Sequence, residues 1–246
     1  MDKIIDFRAF KARCQRKDYL VNNANHWFSS NFSVYFSYFF FRIKLSADQV
    51  TIIFFLVGLF GSFFYSFNSL IFSIIGYLLF RLHIIIDMSD GDIARFNQSF
   101  SIRGAYWDAV IHSIVNPCYY VLISFSFSLQ FSNELFLILG GFMGMSSSVL
   151  MAVKNNYYKA MLFNNELYKK KTVKNLSKTT LKFKLFFLVS EVLSIEGFVL
   201  LTVFVRFLNL ESAAIALLFL YLGSNTLISA VKFYQLSYKG YFITKS

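Results

Sequence analysis

The sequence predicts an all-α membrane protein with six transmembrane helices in one structural domain. Hydrophobic residues fill 57% of the 246 positions and aromatic residues 20%, which is more apolar surface than a water-soluble domain can hide. Apolar runs of roughly twenty residues, the length that a helix needs to cross a bilayer, recur along the chain. No segment rich in Gly, Pro and Ser separates these runs, so we expect them to pack together.

Six segments meet the length requirement, and each is expected to be helical because lipid offers the backbone no other hydrogen-bond partners. They are Asp48–Phe67, Leu70–Arg95, Arg103–Leu129, Glu134–Lys154, Lys184–Phe207 and Ser212–Lys232. The connections after the first and third segments are short, so the helices on either side of each are antiparallel neighbours. The predicted layout is an N-terminal segment at 1–44, a transmembrane domain at 45–235 and a tail at 236–246.

The N-terminal segment is predicted to form amphipathic helices at the membrane surface. The stretch Trp27–Phe41 is strongly aromatic but short and interrupted by serines, so we interpret it as a helix in the headgroup region rather than a seventh span. The basic segment before it would turn Phe7, Phe10, Cys14 and Val21 toward lipid and its cations toward anionic headgroups. Its many charges also argue against a cleavable signal peptide.

The basic residues predict the orientation of the spans. Of the 24 Lys and Arg residues, 22 would lie on one side of the membrane, with Arg206 opposite and Arg81 within the second span. Because basic loops stay in the cytoplasm, both termini and the loop between the second and third spans are predicted to be cytoplasmic. This rule accounts for nearly all of the net charge of +11, and no nucleic-acid-binding motif is present, so nucleic acid is not an expected partner.

The chain has two cysteines, Cys14 in the basic N-terminal segment and Cys118 in the third predicted span. Two thiols in such different settings predict neither a disulfide framework nor a thiolate metal site. Both are expected to be buried or interfacial.

Acidic residues cluster at the cytoplasmic ends of the second and third spans, where ionised groups are costly and therefore suggest a function. Their spacing defines one stripe on each helix, with Asp87, Asp90, Gly91 and Ala94 on the second span and Gly104, Asp108 and His112 on the third. Antiparallel helices joined by a short loop can turn these stripes toward each other. Carboxylates so close together stay ionised only if cations neutralise them, and their oxygens suit Mg²⁺ or Mn²⁺. We therefore predict a site for two divalent ions.

Small residues and an arginine flank the carboxylates. Gly91, Ala94 and Gly104 would let a base or a phosphate approach the backbone, and Arg95 could bind phosphate from the end of the helix. Asp92 falls about 140° from the stripe. We expect it to be solvated or to cap the helix, and we expect Asp92→Asn to be nearly silent.

Written with its spacing, the stretch from Asp87 to His112 has the pattern D-x2-D-G-x2-A-R-x8-G-x3-D-x3-H. It resembles the signature of the CDP-alcohol phosphotransferase family, D-x2-D-G-x2-A-R-x8-G-x3-D-x3-D. The segment SADQVT, from Ser46 to Thr51, is similar to the Pro-Asn-x-x-Thr with which the family opens its first span. The resemblance implies the fold of that family, with six transmembrane helices.

The resemblance also implies a reaction. A substituted phosphate group would pass from a CDP-alcohol, such as CDP-diacylglycerol, to an acceptor hydroxyl on a lipid or a small polar molecule, with release of CMP, as in phospholipid synthesis. By position, the metal ligands would be Asp87, Asp90, Asp108 and His112, and the donor would contact Asp48, Thr51, Gly91, Ala94, Arg95 and Gly104. Glu191 and Arg103 are candidate acceptor contacts.

Family members form dimers, and the spacing of Gly140 and Gly144 is typical of close helix contact. A homodimer is therefore expected, although another span of the same chain could equally be the partner of these glycines.

His112 stands where the family signature has its last Asp, a metal ligand and general base. A neutral imidazole can accept a proton near pH 7 or bind a metal, so we predict that His112 is catalytic. The departure leaves two alternatives open: transfer of a CDP-activated polyol or amino-alcohol phosphate to a lipid or cell-surface glycan, and a catalytically silent relative that still binds CDP-alcohols. A transporter is disfavoured because the polar residues cluster at one end of the two spans instead of following a path.

Overall fold

The computed structural model describes residues 6–14, 24–99, 101–163 and 192–238. These residues form eight helices: α1 (Phe7–Cys14), α2 (Ala24–Arg42), α3 (Ala47–Tyr65), α4 (Leu70–Asn97), α5 (Ile102–Phe131), α6 (Leu135–Phe163), α7 (Ile195–Leu208) and α8 (Glu211–Tyr238). No strand occurs in the described ranges. The all-α prediction is therefore confirmed for this part of the chain.

Five helices are long and apolar enough to cross a membrane, as expected for a multi-pass membrane protein: α3, α4, α5, the Leu135–Val153 part of α6 and the Glu211–Tyr234 part of α8. They correspond to five of the six predicted spans. The span predicted at Lys184–Phe207 is not confirmed, because residues 184–191 lie outside the described ranges and α7 has only 14 residues. A helix of that length measures about 21 Å, short of a bilayer core of about 30 Å.

The chain divides into two compact units, residues 1–111 and 112–246. The boundary falls inside α5, which is one continuous helix on both sides of it. The N-terminal unit contains α1 to α4 and the first turns of α5, and the C-terminal unit contains the rest. The predicted layout of N-terminal segment, transmembrane domain and tail stays a prediction, as does the cytoplasmic orientation of the termini.

Helices α3 and α4 form an antiparallel hairpin whose register is set near its turn. A Cβ added to Gly76 of α4 would lie 2.5 Å from the Tyr65 ring of α3, so the helices approach closely only because this residue is glycine. Farther along the pair, His83 Nδ1 lies 2.7 Å from the carbonyl oxygen of Phe54. These two contacts fix which residues face each other at the open end of the hairpin, where the candidate site lies.

Helix α1 packs against α2 and α4, and the face predicted to meet lipid is buried in protein. Phe10 and Cys14 are 0% and 1% exposed. The ring of Phe10 lies 5.1 Å from that of Phe41 on α2 and 4.7 Å from that of Phe96 on α4. The predicted lipid-facing direction is therefore wrong for Phe10 and Cys14, because neighbouring residues of the protein bury them, whereas Phe7 is half-buried. Val21 lies outside the described residues.

Helix α2 lies alongside α4 and contacts it through a stripe of serines. Ser29, Ser33 and Ser37 recur every four residues, and all three are buried. Arg81 of α4 donates a hydrogen bond to the Ser29 hydroxyl (3.3 Å), and Ser89 of α4 donates to the carbonyl oxygen of Ser33 (3.1 Å). The serines that interrupt the aromatic stretch Trp27–Phe41 are thus the residues through which α2 contacts α4. The location of α2 at the membrane surface stays a prediction.

In the C-terminal unit, glycines of α6 allow close packing on α5. A Cβ added to Gly140 would lie 2.4 Å from Ser124 Cβ, and one added to Gly144 would lie 3.1 Å from a methyl group of Val121. The partner of this glycine stripe is therefore a helix of the same chain. The homodimer stays a prediction and loses the support of these two residues.

We expect Gly140→Ala to lower the melting temperature of the protein in detergent. The added methyl group overlaps Ser124, and overpacking of this kind costs about 1–3 kcal/mol. Gly141→Ala is the matched control, since no described atom outside the adjoining residues and backbone of its own helix lies within 4 Å of its Cβ position, and alanine favours the helix by up to about 1 kcal/mol. Equal melting temperatures for the two variants would contradict the close packing of α5 and α6.

Candidate functional site

An open cavity of about 200 Å³ lies in the N-terminal unit, between α3, α4 and the first turns of α5. Eight of the twelve residues that line it are candidate site residues from the sequence: Asp48, Thr51, Asp90, Gly91, Ala94, Arg95, Gly104 and Asp108. The other four are Ala47, Ser99, Ser101 and Ala105. The structure thus brings six residues of the Asp87–His112 sequence pattern and two residues near the start of α3 into one cavity. The functional roles of these residues stay predictions.

Two helix N-termini open onto the cavity. Helix α3 starts at Ala47 behind a capping box, in which the Gln49 backbone N–H donates to Ser46 Oγ (3.3 Å) and the Ser46 backbone N–H donates to Gln49 Oε1 (2.9 Å). Near the start of α5, the Gly104 backbone N–H donates to Ser101 Oγ (2.9 Å). The N-terminal end of a helix carries partial positive charge, so two of them at one cavity favour an anionic ligand such as phosphate.

Asp90 is held in place from the facing helix. The Thr51 hydroxyl of α3 donates a hydrogen bond of 2.8 Å to its carboxylate. The same carboxylate interacts electrostatically with those of Asp87 and Asp108. Asp90 is therefore fixed on the cavity wall among like charges, an arrangement that a bound cation would stabilise.

A potential metal-binding group lies beside the cavity. Asp87 of α4 and Asp108 of α5 place carboxylate oxygens within 4.8 Å of each other. His112 follows Asp108 by one turn of the continuous helix α5, and a ring nitrogen falls within the same distance of both oxygens. Asp87 and His112 are half-buried and Asp108 is exposed. Asp90 lines the cavity but lies outside this group of three.

Two residues predicted to contact substrate are paired with each other. Arg103 Nε lies 3.6 Å from Asp48 Oδ2, and both side chains are substantially exposed, at 70% and 40%. An ion pair exposed to this degree contributes about 0–1 kcal/mol, so a charged ligand can separate it readily. Glu191, the other candidate acceptor contact, lies outside the described residues.

Asp92 is neither solvated nor a helix cap, since it lies inside α4, five residues before the end of the helix. It is 4% exposed and accepts hydrogen bonds from the hydroxyls of Ser37 (3.0 Å) and Ser33 (3.4 Å) on α2. Its other oxygen lies 2.5 Å from Nη2 of Arg95, the arginine on the cavity wall. The solvated or capping role predicted for Asp92 is therefore wrong, because the side of α4 that points away from the carboxylate stripe is covered by α2.

Three features that line or support the cavity were not predicted from the sequence. Each of them has a residue spacing in the sequence that could have indicated it. The serines of α2 recur at the four-residue spacing of one helix face. Ser46 and Gln49 have the spacing of a capping box. Ser101 stands three residues before Gly104, where a side chain that caps the start of a helix is expected.

Comparison with known proteins gives limited similarity. No family model matches the chain. Over 118 residues, 48% of its length, the chain is 30% identical to the bifunctional IPC transferase and DIPP synthase of Archaeoglobus fulgidus. The matched part is 22% of that relative. The name of that relative describes a transferase and a synthase, and the partial similarity agrees loosely with the resemblance to the CDP-alcohol phosphotransferases.

We expect Thr51→Val to destabilise the protein by about 1–3 kcal/mol, because a nearly isosteric side chain without a hydroxyl removes the side-chain donor that α3 supplies to the Asp90 carboxylate. Thr51→Ser keeps the hydroxyl and should stay within about 1 kcal/mol of the wild type. Thermal unfolding of the purified variants in one detergent measures both. Equal stability of Thr51→Val and the wild type would show that the hydrogen bond to Asp90 does not form.

Proposed function

We propose that the chain transfers a substituted phosphate group from a CDP-alcohol, such as CDP-diacylglycerol, to an acceptor hydroxyl and releases CMP. The observation that carries this proposal is the single cavity that gathers eight candidate residues from three helices. The spacing of the carboxylates, glycines and arginine in the sequence supports it, and so does the partial similarity to a transferase. Phospholipid synthesis is the role that fits such a reaction in a membrane protein.

The cavity suits the diphosphate of the donor. Two helix N-termini and the Arg95 guanidinium supply positive charge on its walls. Gly91 leaves room for that guanidinium, which would lie 3.2 Å from an added Cβ. We propose that Thr51, Gly91, Ala94, Arg95 and Gly104 contact the donor.

The acidic residues fit divalent cations. Asp87 and Asp108 have carboxylate oxygens within 4.8 Å of each other, and Asp90 adds a third carboxylate on the cavity wall, a set of oxygen ligands suited to Mg²⁺ or Mn²⁺. We propose that Asp87, Asp90 and Asp108 hold two such ions. When bound, the ions would neutralise the diphosphate and favour the departure of CMP.

His112 would serve as the base. The acceptor oxygen forms a bond to the β-phosphorus, the bond from that phosphorus to the bridging oxygen breaks, and CMP leaves with the bridging oxygen. The hydroxyl proton passes to a ring nitrogen of His112. A neutral imidazole has one available lone pair, so the same ring cannot bind a metal and accept this proton, whereas an aspartate has two oxygens for the two tasks. We therefore assign the metals to the three aspartates and the proton to His112.

The acceptor would approach past the rim of the cavity. Asp48 and Arg103 pair there at an exposed position, so a polar acceptor or a lipid headgroup can replace either partner. We place this end of the helices in the cytoplasm, because that orientation keeps nearly all of the basic residues on one side. Membrane lipids would be the surroundings and, for a lipid donor, also the source of substrate.

A second candidate is a protein that binds CDP-alcohols without turning them over. His112 favours it, since the imidazole carries no negative charge where the resembled signature has a carboxylate. Transfer of a CDP-activated polyol or amino-alcohol phosphate differs only in the donor and acceptor.

We expect purified protein with Mg²⁺ or Mn²⁺ to release CMP when it is given a panel of CDP-alcohols and acceptors. His112→Ala should lower the release by about 10²–10⁴-fold, the usual contribution of a general base, and His112→Asp should retain measurable release. The panel member that works identifies the donor. Release from His112→Asp but not from the wild type would instead favour the silent binding protein.

The metal assignment is checked by Asp87→Asn, Asp90→Asn and Asp108→Asn in the same assay. Each should abolish metal-dependent release, because an amide binds a hard cation far less well than a carboxylate does. Full activity in any of the three would contradict the assignment of that residue.

A further inference from the structure

Arg95 lines the cavity and is held by two contacts with residues that do not line it. Its Nη2 lies 2.5 Å from Asp92 Oδ1, and its Nε donates a 2.7 Å hydrogen bond to the carbonyl oxygen of Cys14 in α1. The remaining group, Nη1, lies 3.2 Å from the position of a Cβ on Gly91, which lines the cavity. Two contacts therefore fix the edge of the planar guanidinium formed by Nε and Nη2, and neither of them uses Nη1.

Asp92 is itself fixed by α2. One of its oxygens accepts from Ser37 and Ser33, and the other faces Arg95. A buried carboxylate with donors on both oxygens has little freedom to turn. It can therefore hold the guanidinium in one orientation before any ligand arrives, which lowers the entropy lost when a phosphate binds.

The contact with Cys14 ties α1 to the same arginine. Cys14 is the last residue of α1, where carbonyl groups lack partners within the helix and carry partial negative charge. Phe10 anchors α1 beside Arg95 through its contacts with Phe41 and Phe96. The end of α1 is thus a packed support for a residue of the cavity.

We propose that Asp92 is a positioning residue and that docked α1 completes the donor site, both by directing the Nη1 side of Arg95 toward the diphosphate. This inference rests on the proposed function, since it takes Arg95 to bind the donor. Under this proposal, α1 contributes to substrate binding by positioning Arg95.

The test is the affinity for CDP in the presence of Mn²⁺, measured by titration calorimetry on the full chain in detergent. Asp92→Asn should weaken CDP binding about tenfold, as expected when a hydrogen bond between charged groups is weakened. Because Asp92 acts through Arg95, adding Asp92→Asn to Arg95→Ala should cause no further loss.

Ser37→Ala is a milder variant in case Asp92→Asn does not fold, and it should weaken CDP binding about threefold. Ser73→Ala is its matched control, a buried serine of α4 whose hydroxyl donates to the Ser69 carbonyl oxygen, and it should leave the affinity unchanged. Wild-type affinity in both Asp92→Asn and Ser37→Ala would overturn the proposal, as would independent, additive losses in the double variant.

These results separate the positioning role from the proposed reaction. A wild-type protein that binds CDP in the way described but releases no CMP from any donor would contradict the reaction and support the positioning role. A wild-type protein that does not bind CDP would overturn both.

The docking of α1 has a readout that does not depend on activity. Cys14 is 1% exposed, and burial raises the pKa of its thiol to about 12, so it should react slowly with N-ethylmaleimide while α1 is docked. In a Cys118→Ser background, Arg95→Ala should speed this reaction about fivefold, the factor for one lost hydrogen bond. CDP with Mn²⁺ should slow it by reciprocal coupling. A rate that neither change alters would overturn the coupling of α1 to the site.

Discussion

The close contact between α3 and α4 at Gly76 is the constraint on which the candidate site depends. A side chain there would overlap Tyr65, so glycine sets both the distance and the register of the hairpin. The same register places Thr51 opposite Asp90 at the other end, where the cavity opens. A site built from side chains on separate helices needs such rigid support, because small errors in helix position move every ligand atom.

A second set of contacts supports Arg95 on the cavity wall, and these contacts are polar rather than steric. It consists of a buried carboxylate, an arginine and the serines of α2, which satisfy one another's hydrogen bonds in a region that water cannot easily enter. Buried polar groups of this type stabilise a structure only when they are paired, since an unpaired one is costly. The aromatic contacts of Phe10 hold α1 in position to complete the pairing. The N-terminal helices are therefore part of the structural basis of the site.

Helical periodicity predicted the cavity-lining stripe well. Asp90, Gly91 and Ala94 share one face of α4 because their spacing requires it. The length of the apolar runs predicted six spans, and five of them correspond to helices that are long and apolar enough to cross a membrane. The periodicity of α4 alone could not reveal that Asp92 meets α2, because that contact depends on tertiary packing between segments over fifty residues apart. For the same reason the apolar face of α1 was assigned to lipid, since lipid and protein bury Phe10 equally well and sequence does not distinguish them.

The most direct measurement of the central claim is a crystal structure of the protein with Mn²⁺ and CDP, in which anomalous scattering locates the metal. We predict metal peaks about 2–2.5 Å from carboxylate oxygens of Asp87, Asp90 and Asp108, with the diphosphate in the cavity beside Arg95. Metal and nucleotide bound elsewhere, or a diphosphate that does not approach Arg95, would contradict the assignment of this cavity as the donor site.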